Sequence, residues 1–222
     1  MFCIPIIAKN TDEALKKIGI ANTLADILEI RLDVMEIFDL KEIIRSISKP
    51  VIVTYRSKKE GGNGAADYET RIHYLLQAIE VGADFVDVEF SLPLEFRQKL
   101  FHVQSSSRLI ISNHLSSGTP SRGELENIFR KMAATGADIV KIITHARTAE
   151  DNLRILGLIP FAQNLSVKII AFAMGRIGRI SRIATLLMGG YMTFASLEEG
   201  QESASGQIPV SEMKKIQAII SS

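Results

Sequence analysis

Short apolar runs and longer segments of helical period alternate along the whole chain. Eight runs rich in β-branched and aromatic residues fall at 3–8, 27–33, 51–56, 85–90, 109–114, 139–144, 167–174 and 192–196. Between them, apolar residues recur at i, i+3, i+4 and i+7. The stripes are Leu40, Ile43, Ile44 and Ile47; Ile72, Leu75, Leu76 and Ile79; Leu125, Ile128, Phe129 and Met132; and Ile180, Ile183, Ala184 and Leu187. Each puts four apolar side chains on one helix face. Gly82 and Gly136 each follow a helical run and precede an Ala-Asp step into the next strand, as a C-terminal glycine in the left-handed region would. No Pro- or Ser-rich spacer divides the 222 residues. The order predicts an α/β fold, a (β/α)8 TIM barrel forming a single domain over 1–222, rather than a doubly wound open sheet. Chemistry in such a barrel sits at the C-terminal ends of the strands.

Polar residues inside these strands are therefore informative, because a buried charge without a partner is very costly. Glu29, Arg31 and Asp33 share one face of the second strand by its period of two, while Ile30 and Leu32 point toward helices. Helices covering every strand would force the charged set into the barrel. Asp87 and Glu89 repeat the pattern in the fourth strand, and Arg56 ends the third ahead of a glycine-rich loop, Ser57-Lys58-Lys59-Glu60-Gly61-Gly62.

Lys141 lies mid-strand between apolar neighbours. Loss of water and nearby cations would favour the neutral amine that attacks a carbonyl, which makes it a Schiff-base candidate. The structural alternative is a barrel-filling lysine neutralised by Asp87 or Glu89. His114, at the end of the fifth strand, is a natural general base and acid. His145, four residues beyond Lys141, is a second candidate, whereas His73 and His102 lie in helical segments and read as surface positions.

Charge and cysteine content narrow the partners. Lys and Arg number 26 against 25 Asp and Glu, so no general field draws nucleic acid or a membrane, and a ligand should be sought in a pocket. Cys3, the one cysteine, cannot form an intramolecular disulfide and reads as a buried thiol in a reducing cytoplasm. The N-terminus lacks the basic region and the length of a secretion signal, and no run reaches the roughly 18 apolar residues of a membrane helix.

Six strings, in order, resemble the type I 3-dehydroquinate dehydratases of the shikimate pathway. They are Glu29-Ile30-Arg31-Leu32-Asp33; Thr54-Tyr55-Arg56-Ser57-Lys58-Lys59-Glu60-Gly61-Gly62; Ser112-Asn113-His114; Asp138-Ile139-Val140-Lys141-Ile142; Ile180-Ser181-Arg182; and Ser203-Ala204-Ser205-Gly206-Gln207-Ile208. The resemblance covers nearly the whole chain and implies the same barrel. It implies conversion of 3-dehydroquinate to 3-dehydroshikimate and water, a step toward aromatic amino acids, without metal or organic cofactor. Lys141 would form the imine, His114 would move the proton, and Glu60 would orient the histidine ring and favour its charged form. Arg182 would bind the substrate carboxylate with Ser203 and Gln207 closing over it, Glu29, Arg31 and Arg56 would hold the hydroxyls, and Met174 would contact the ring. The polar, glycine-flanked segment 199–207 reads as a lid.

The partner implied is the small molecule itself, with no nucleic acid and no membrane. A homodimer, and in a longer protein fusion to a shikimate dehydrogenase domain, are compatible with the resemblance. Departures are the lack of an N-terminal hairpin before the first strand, a histidine at His145, and Asn113 where the family more often carries an aromatic residue. A class I aldolase would share Lys141 but needs a glycine-rich phosphate cradle after strands seven and eight, where this chain carries Arg182 and a Ser/Gln loop. Gly189 and Gly190 precede the eighth strand, at the opposite end of the barrel. A non-catalytic barrel would leave Lys141, His114 and Glu60 without purpose. Arg176 and Arg179, crowding the loop before Arg182, read as a solvated basic edge.

Overall fold

Alternation along the sequence becomes a nearly closed ring of parallel strands with helices outside. The computed structural model describes residues 1–103 and 107–221. Its strands are β1 (Phe2–Ile6), β2 (Ile27–Arg31), β3 (Val51–Thr54), β4 (Phe85–Glu89), β5 (Arg108–Leu115), β6 (Ile139–His145), β7 (Lys168–Met174) and β8 (Thr193–Phe194). Helices are α1 (Thr11–Leu24), α2 (Leu40–Arg45), α3 (Tyr68–Glu80), α4 (Leu94–Phe101), α5 (Arg122–Ala133), α6 (Ala149–Leu156), α7 (Leu158–Asn164), α8 (Arg179–Leu187) and α9 (Val210–Ser221). The ladder runs β7-β6-β5-β4-β3-β2-β1-β8. Between β7 and β8 the ring is joined by the Tyr191 amide, which donates to the Ile169 carbonyl at 2.8 Å, and by Phe172 against Phe194, ring centres 6.0 Å apart. The expected TIM barrel is the fold observed.

Period-two alternation divides the buried residues into two cores. Leu28, Ile30, Val53, Val86, Val88, Ile111, Val140 and Ile142 face outward and pack with the helices. Their neighbours Cys3, Ile27, Ile52, Phe85, Ile110, Ile139, Ile170 and Met192 fill the barrel interior. Two residues further along the same inward faces stand Glu29, Thr54, Asp87, Ser112, Lys141, Phe172 and Phe194, all buried. Another step of two reaches Arg31, Arg56, Glu89, His114 and Met174 at the C-terminal rim. An apolar floor thus supports a polar layer, and each polar side chain is aimed by its strand's register.

The Ala-Asp steps have a structural reason. Asp26, Asp84 and Asp138 each accept a backbone N–H at the start of the preceding strand, from Phe2, Val51 and Leu109, all at 2.8 Å. Gly82 and Gly136 sit at φ 92° and 80°, the left-handed turn expected before those steps.

Three expectations need correction. β2 ends at Arg31 and β3 at Thr54, so Asp33 and Arg56 lie just past their strands; Asp33 sits in a 3-10 turn over Leu32–Val34, where it pairs with Arg31. Two helices, α6 and α7, fill the connection from β6 to β7. The stripe expected for α8 holds only in part: Ile183 and Ala184 pack against the core, but Ile180 is 62% and Leu187 46% exposed, while Ser181, Arg182 and Thr185 are buried. The inward face of α8 is polar because Ser181 takes the Ala173 N–H at 2.8 Å and Arg182 enters the barrel mouth. The other stripes hold, although Ile47 lies beyond the end of α2.

Asp138→Ala should lower the free energy of unfolding by about 1 kcal/mol, the net worth of the bond lost at the Leu109 amide, while Asp138→Asn, which keeps an acceptor, should lose less. Urea titrations followed by circular dichroism measure both. Equal losses would show that the side-chain acceptor contributes nothing.

Candidate active site

The rim residues and the loop after β8 enclose a cavity of about 170 Å³. All ten side chains singled out by the resemblance line it: Glu29, Arg31, Arg56, Glu60, His114, Lys141, Met174, Arg182, Ser203 and Gln207.

Lys141 is 4% exposed. Its Nζ lies 3.0 Å from Asp87 Oδ2 and 3.5 Å from Glu29 Oε1, and 4.3 Å above the centre of the Phe194 ring. Thr54 Oγ1 donates to the same Glu29 oxygen at 2.8 Å. The amine is thus deprived of water as expected, but its immediate neighbours are two carboxylates and an aromatic face rather than other cations. Burial alone would raise the pKa of Asp87. Arg56 and Lys141 outweigh it and hold the carboxyl well below the usual carboxylate range.

Arg56 reaches across the barrel mouth. Its Nη2 donates to Asp87 Oδ1 at 2.7 Å, and its Nη1 to Ser112 Oγ at 3.0 Å, Glu89 Oε1 at 3.2 Å and Glu60 Oε2 at 3.4 Å. Burial works against the guanidinium charge, but these carboxylates win and raise its pKa. Glu60 is delivered by a 3-10 turn, Lys58–Glu60, that ends at Gly61 with φ 82°. Gly62 and Gly64 then pass so close to the Arg56 carbonyl that a Cβ on either would clash with it, at 2.3 and 2.6 Å.

Glu60 Oε2 accepts the backbone N–H of His114 at 3.1 Å and lies 3.2 Å from its Nδ1. That pairing makes Nδ1 the protonated nitrogen and leaves Nε2 with its lone pair. Glu60 faces the ring as the resemblance implies, yet other groups act against a charged ring. Burial first, then Arg56 and Lys141, push its pKa well below 6.5, so His114 is a neutral imidazole near neutrality. Burial also pushes the Glu60 carboxyl upward.

Arg182 is buried to 1% exposure. Its Nη1 and Nη2 donate to the carbonyls of Phe194 (3.4 Å) and Ser205 (3.2 Å), Nε has no partner, and the guanidinium stacks on Phe172 at 4.6 Å. Among the described residues no carboxylate lies within 4 Å of it. Burial, with a smaller contribution from Arg179, lowers its pKa to about 10. Ser203 and Gln207 bond reciprocally: the Ser203 N–H donates to Gln207 Oε1 at 2.7 Å, and Gln207 Nε2 donates to Ser203 Oγ at 2.9 Å. The loop rests on β7's end through the Gly175 N–H, which donates to the Ser205 carbonyl at 3.1 Å.

His145 does not line the cavity; its ring lies against Gly175, where a Cβ would stand 3.0 Å from it. His73, His102, Arg176 and Arg179 are exposed. Sequence reasoning passed over Thr54, Phe172 and Phe194, which also line the cavity. Thr54 was within reach, two residues before Arg56 on one face. It also passed over Ser91, whose hydroxyl donates to Glu60 Oε1 at 2.6 Å from a loop without pattern.

The chain matches the model of the type I 3-dehydroquinase family over residues 2–222. It is 35% identical over 220 residues to a 3-dehydroquinate dehydratase of Pyrococcus abyssi, covering 99% of this chain and 98% of that one. It is 36% identical over 219 residues to a bifunctional 3-dehydroquinate dehydratase/shikimate dehydrogenase of Arabidopsis thaliana, covering 96% of this chain but 36% of the relative. The crystal structure of a 3-dehydroquinate dehydratase from Geobacillus kaustophilus superposes with a TM-score of 0.86 at 27% identity, covering 99% of this chain and 90% of that one. The chain belongs to the type I 3-dehydroquinase family and is, on that membership, a hydro-lyase enzyme.

Proposed function

We propose that this protein converts 3-dehydroquinate to 3-dehydroshikimate and water through a Schiff base on Lys141, within the shikimate pathway of aromatic amino acid biosynthesis. One observation carries the reading: Arg182, a buried guanidinium without a carboxylate partner, opens onto the same cavity as the interior Lys141. Such a cation calls for an anionic ligand, and its planar fork suits a carboxylate. No helix of the described residues is long and apolar enough to cross a membrane.

In this reading Arg182, Ser203 and Gln207 seat the substrate carboxylate and thereby set the C3 ketone against Lys141. The lysine gives up a proton, which the neutral His114 is able to take, and the free amine adds to the carbonyl carbon. Loss of the carbonyl oxygen as water, which takes that proton back from His114, leaves an iminium and a neutral imidazole. The iminium's positive charge stays where the amine nitrogen stood, beside the ionised Asp87 and the Glu29 carboxyl group, so the cation is stabilised without rearrangement. The iminium draws electrons from C2; His114 Nε2 removes the C2 proton and an enamine forms. Electrons then return to expel the C1 hydroxyl, which takes the proton from His114 and leaves as water. Addition of one water to the imine releases product and restores Lys141, so the net reaction loses one water. Glu60 fixes the ring and its tautomer throughout, Met174 packs on the substrate ring, and Arg31 and Glu29 meet its hydroxyls. The loop 199–207 acts as the lid that excludes water.

Borohydride reduction in the presence of 3-dehydroquinate should leave a stable adduct that peptide mass mapping places on Lys141, and Lys141→Ala should abolish it. No adduct would remove the Schiff base; an adduct formed only with a sugar phosphate would make the enzyme an aldolase instead. His114→Ala should still form the adduct while kcat falls about a thousandfold. Normal turnover by that variant would exclude His114 as the base. Arg182→Ala should raise KM on the order of 10- to 100-fold, the worth of a charge-assisted pair, and an unchanged KM would place the carboxylate elsewhere.

The pH profile has a definite sign. A depressed histidine pKa keeps the base neutral as pH falls, so the His114 ring, followed by NMR, should remain uncharged through pH 6.5. Arg182 loses its charge as pH rises, so KM should climb above pH about 10. A His114 titration at or above 6.5 contradicts the burial argument.

A further inference from the structure

Behind the cavity, on the outer side of the barrel mouth, a second arginine is buried without touching the cavity. Arg71 stands in the first turn of α3, is 8% exposed, and donates from Nη2 to Glu89 Oε2. Its guanidinium is held between two aromatic rings, Tyr55 and Tyr68, with its central carbon 5.7 Å from each ring centre. Tyr55 is itself fixed, stacked on Tyr74 and accepting the Ala66 N–H at its hydroxyl at 3.0 Å. A side chain clamped in this way costs little further ordering when it pairs, and the clamp sets where Glu89 must lie.

Glu89 divides its two oxygens between the outside and the inside. Oε2 faces Arg71, while Oε1 accepts the Ser57 N–H at 2.8 Å and Arg56 Nη1 at 3.2 Å. Ser57 begins the short loop that delivers Glu60, and Arg56 Nη1 is the same nitrogen that reaches Glu60 at 3.4 Å, the longest of its contacts. The contacts around Arg56 involve three carboxylates, Glu60, Asp87 and Glu89. Arg56 meets all three, Lys141 meets Asp87, and Arg71 supplies the third cation. Without Arg71, Glu89 would hold a buried oxygen with no partner and would draw Arg56 onto itself. Its weakest contact, the one to Glu60, would give first.

We infer that Arg71 is a positioning residue: by neutralising the outer oxygen of Glu89 it keeps Arg56 shared with Glu60 and the Ser57–Glu60 loop in register with His114. The inference rests on the proposed reaction for its kinetic form. Arg182 lies across the cavity on α8, so loss of Arg71 should touch turnover and leave carboxylate binding alone. The charged groups facing His114 are Glu60, Arg56, Lys141, Asp87 and Arg31. Weakening the Arg56 contact leaves Glu60 freer to favour the protonated ring.

Arg71→Met should lower kcat about tenfold or more, in keeping with small displacements of a catalytic pair, with KM for 3-dehydroquinate within about threefold. Its His114 NMR titration should move up in pH. Arg71→Lys, which restores a cation opposite Glu89, should recover part of kcat and return the titration toward wild type. A folded Arg71→Met with wild-type kcat, or with an unmoved His114 titration, overturns the inference. If Arg71→Met does not fold, Arg71→Met in a Glu89→Gln background removes the stranded charge with its partner. That double variant should match Glu89→Gln alone in kcat and titration, and a further loss of similar size to that of a partnerless Arg56 pair would overturn the route through Glu89. Failure of the wild-type enzyme to turn over 3-dehydroquinate would sink the reaction instead, and the His114 titrations would still decide the role of Arg71.

Discussion

A buried guanidinium has to be satisfied where it stands, and Arg56 is satisfied by groups from three separate segments: Glu60 in its own following loop, Asp87 and Glu89 on β4, and Ser112 on β5. Taking one partner from a buried ion pair costs on the order of 3–5 kcal/mol, since a charge is left uncompensated. The positions of these groups are therefore interdependent. Asp87 is shared with Lys141, Glu60 with His114, and Glu89 with Arg71, so the imine-forming amine and the proton-moving imidazole of the proposed reaction hang from one cation.

The same cluster gives the amine and the imidazole different surroundings. Lys141 sits against Asp87 and Glu29, whose negative charges remain beside it when the proposed iminium forms. His114, a few ångströms higher at the rim, meets Arg56 and Lys141 as well as its carboxylate, and burial plus cations keep it neutral. Amine and imidazole thus meet different electrostatic surroundings in one small cavity, as separate roles in acid and base chemistry require.

Much of this was legible in the sequence because a strand's period of two is rigid. Once helices cover the outside of the barrel, Glu29, Asp87 and Lys141 have nowhere to point except inward, and a charge in an apolar run announces itself. The Ala-Asp steps marked strand starts for a reason that only pairing revealed, namely an acceptor for an amide at the start of the preceding strand. Helix α8 failed the same kind of reasoning. Its inward face carries Ser181, Arg182 and Thr185 beside Ile183 and Ala184, so both ends of the apolar stripe are exposed, and a helix that serves the cavity cannot be oriented by hydrophobicity alone. Partner choice was equally hidden. Glu89 was an expected neutraliser of Lys141 and proves to belong to Arg56 and Arg71, because register and loop path decide which carboxylate reaches which cation. Ser91 and Arg71 lay outside any strand pattern that could have drawn attention to them.

The join between β7 and β8 has a mechanical meaning. β8 is two residues long and pairs with β1, so the barrel wall on its other side is held by one backbone bond, two touching phenyl rings, and Arg182. That arginine bonds the Phe194 carbonyl on β8 and the Ser205 carbonyl in the loop beyond it while rooted in the helix that follows β7. An anion seated on it neutralises that guanidinium and ties helix, strand and loop together. The ligand is in that sense a removable rivet: at a hundred times its dissociation constant it would add about 2.7 kcal/mol to the folded state, concentrated where the cylinder is least stitched.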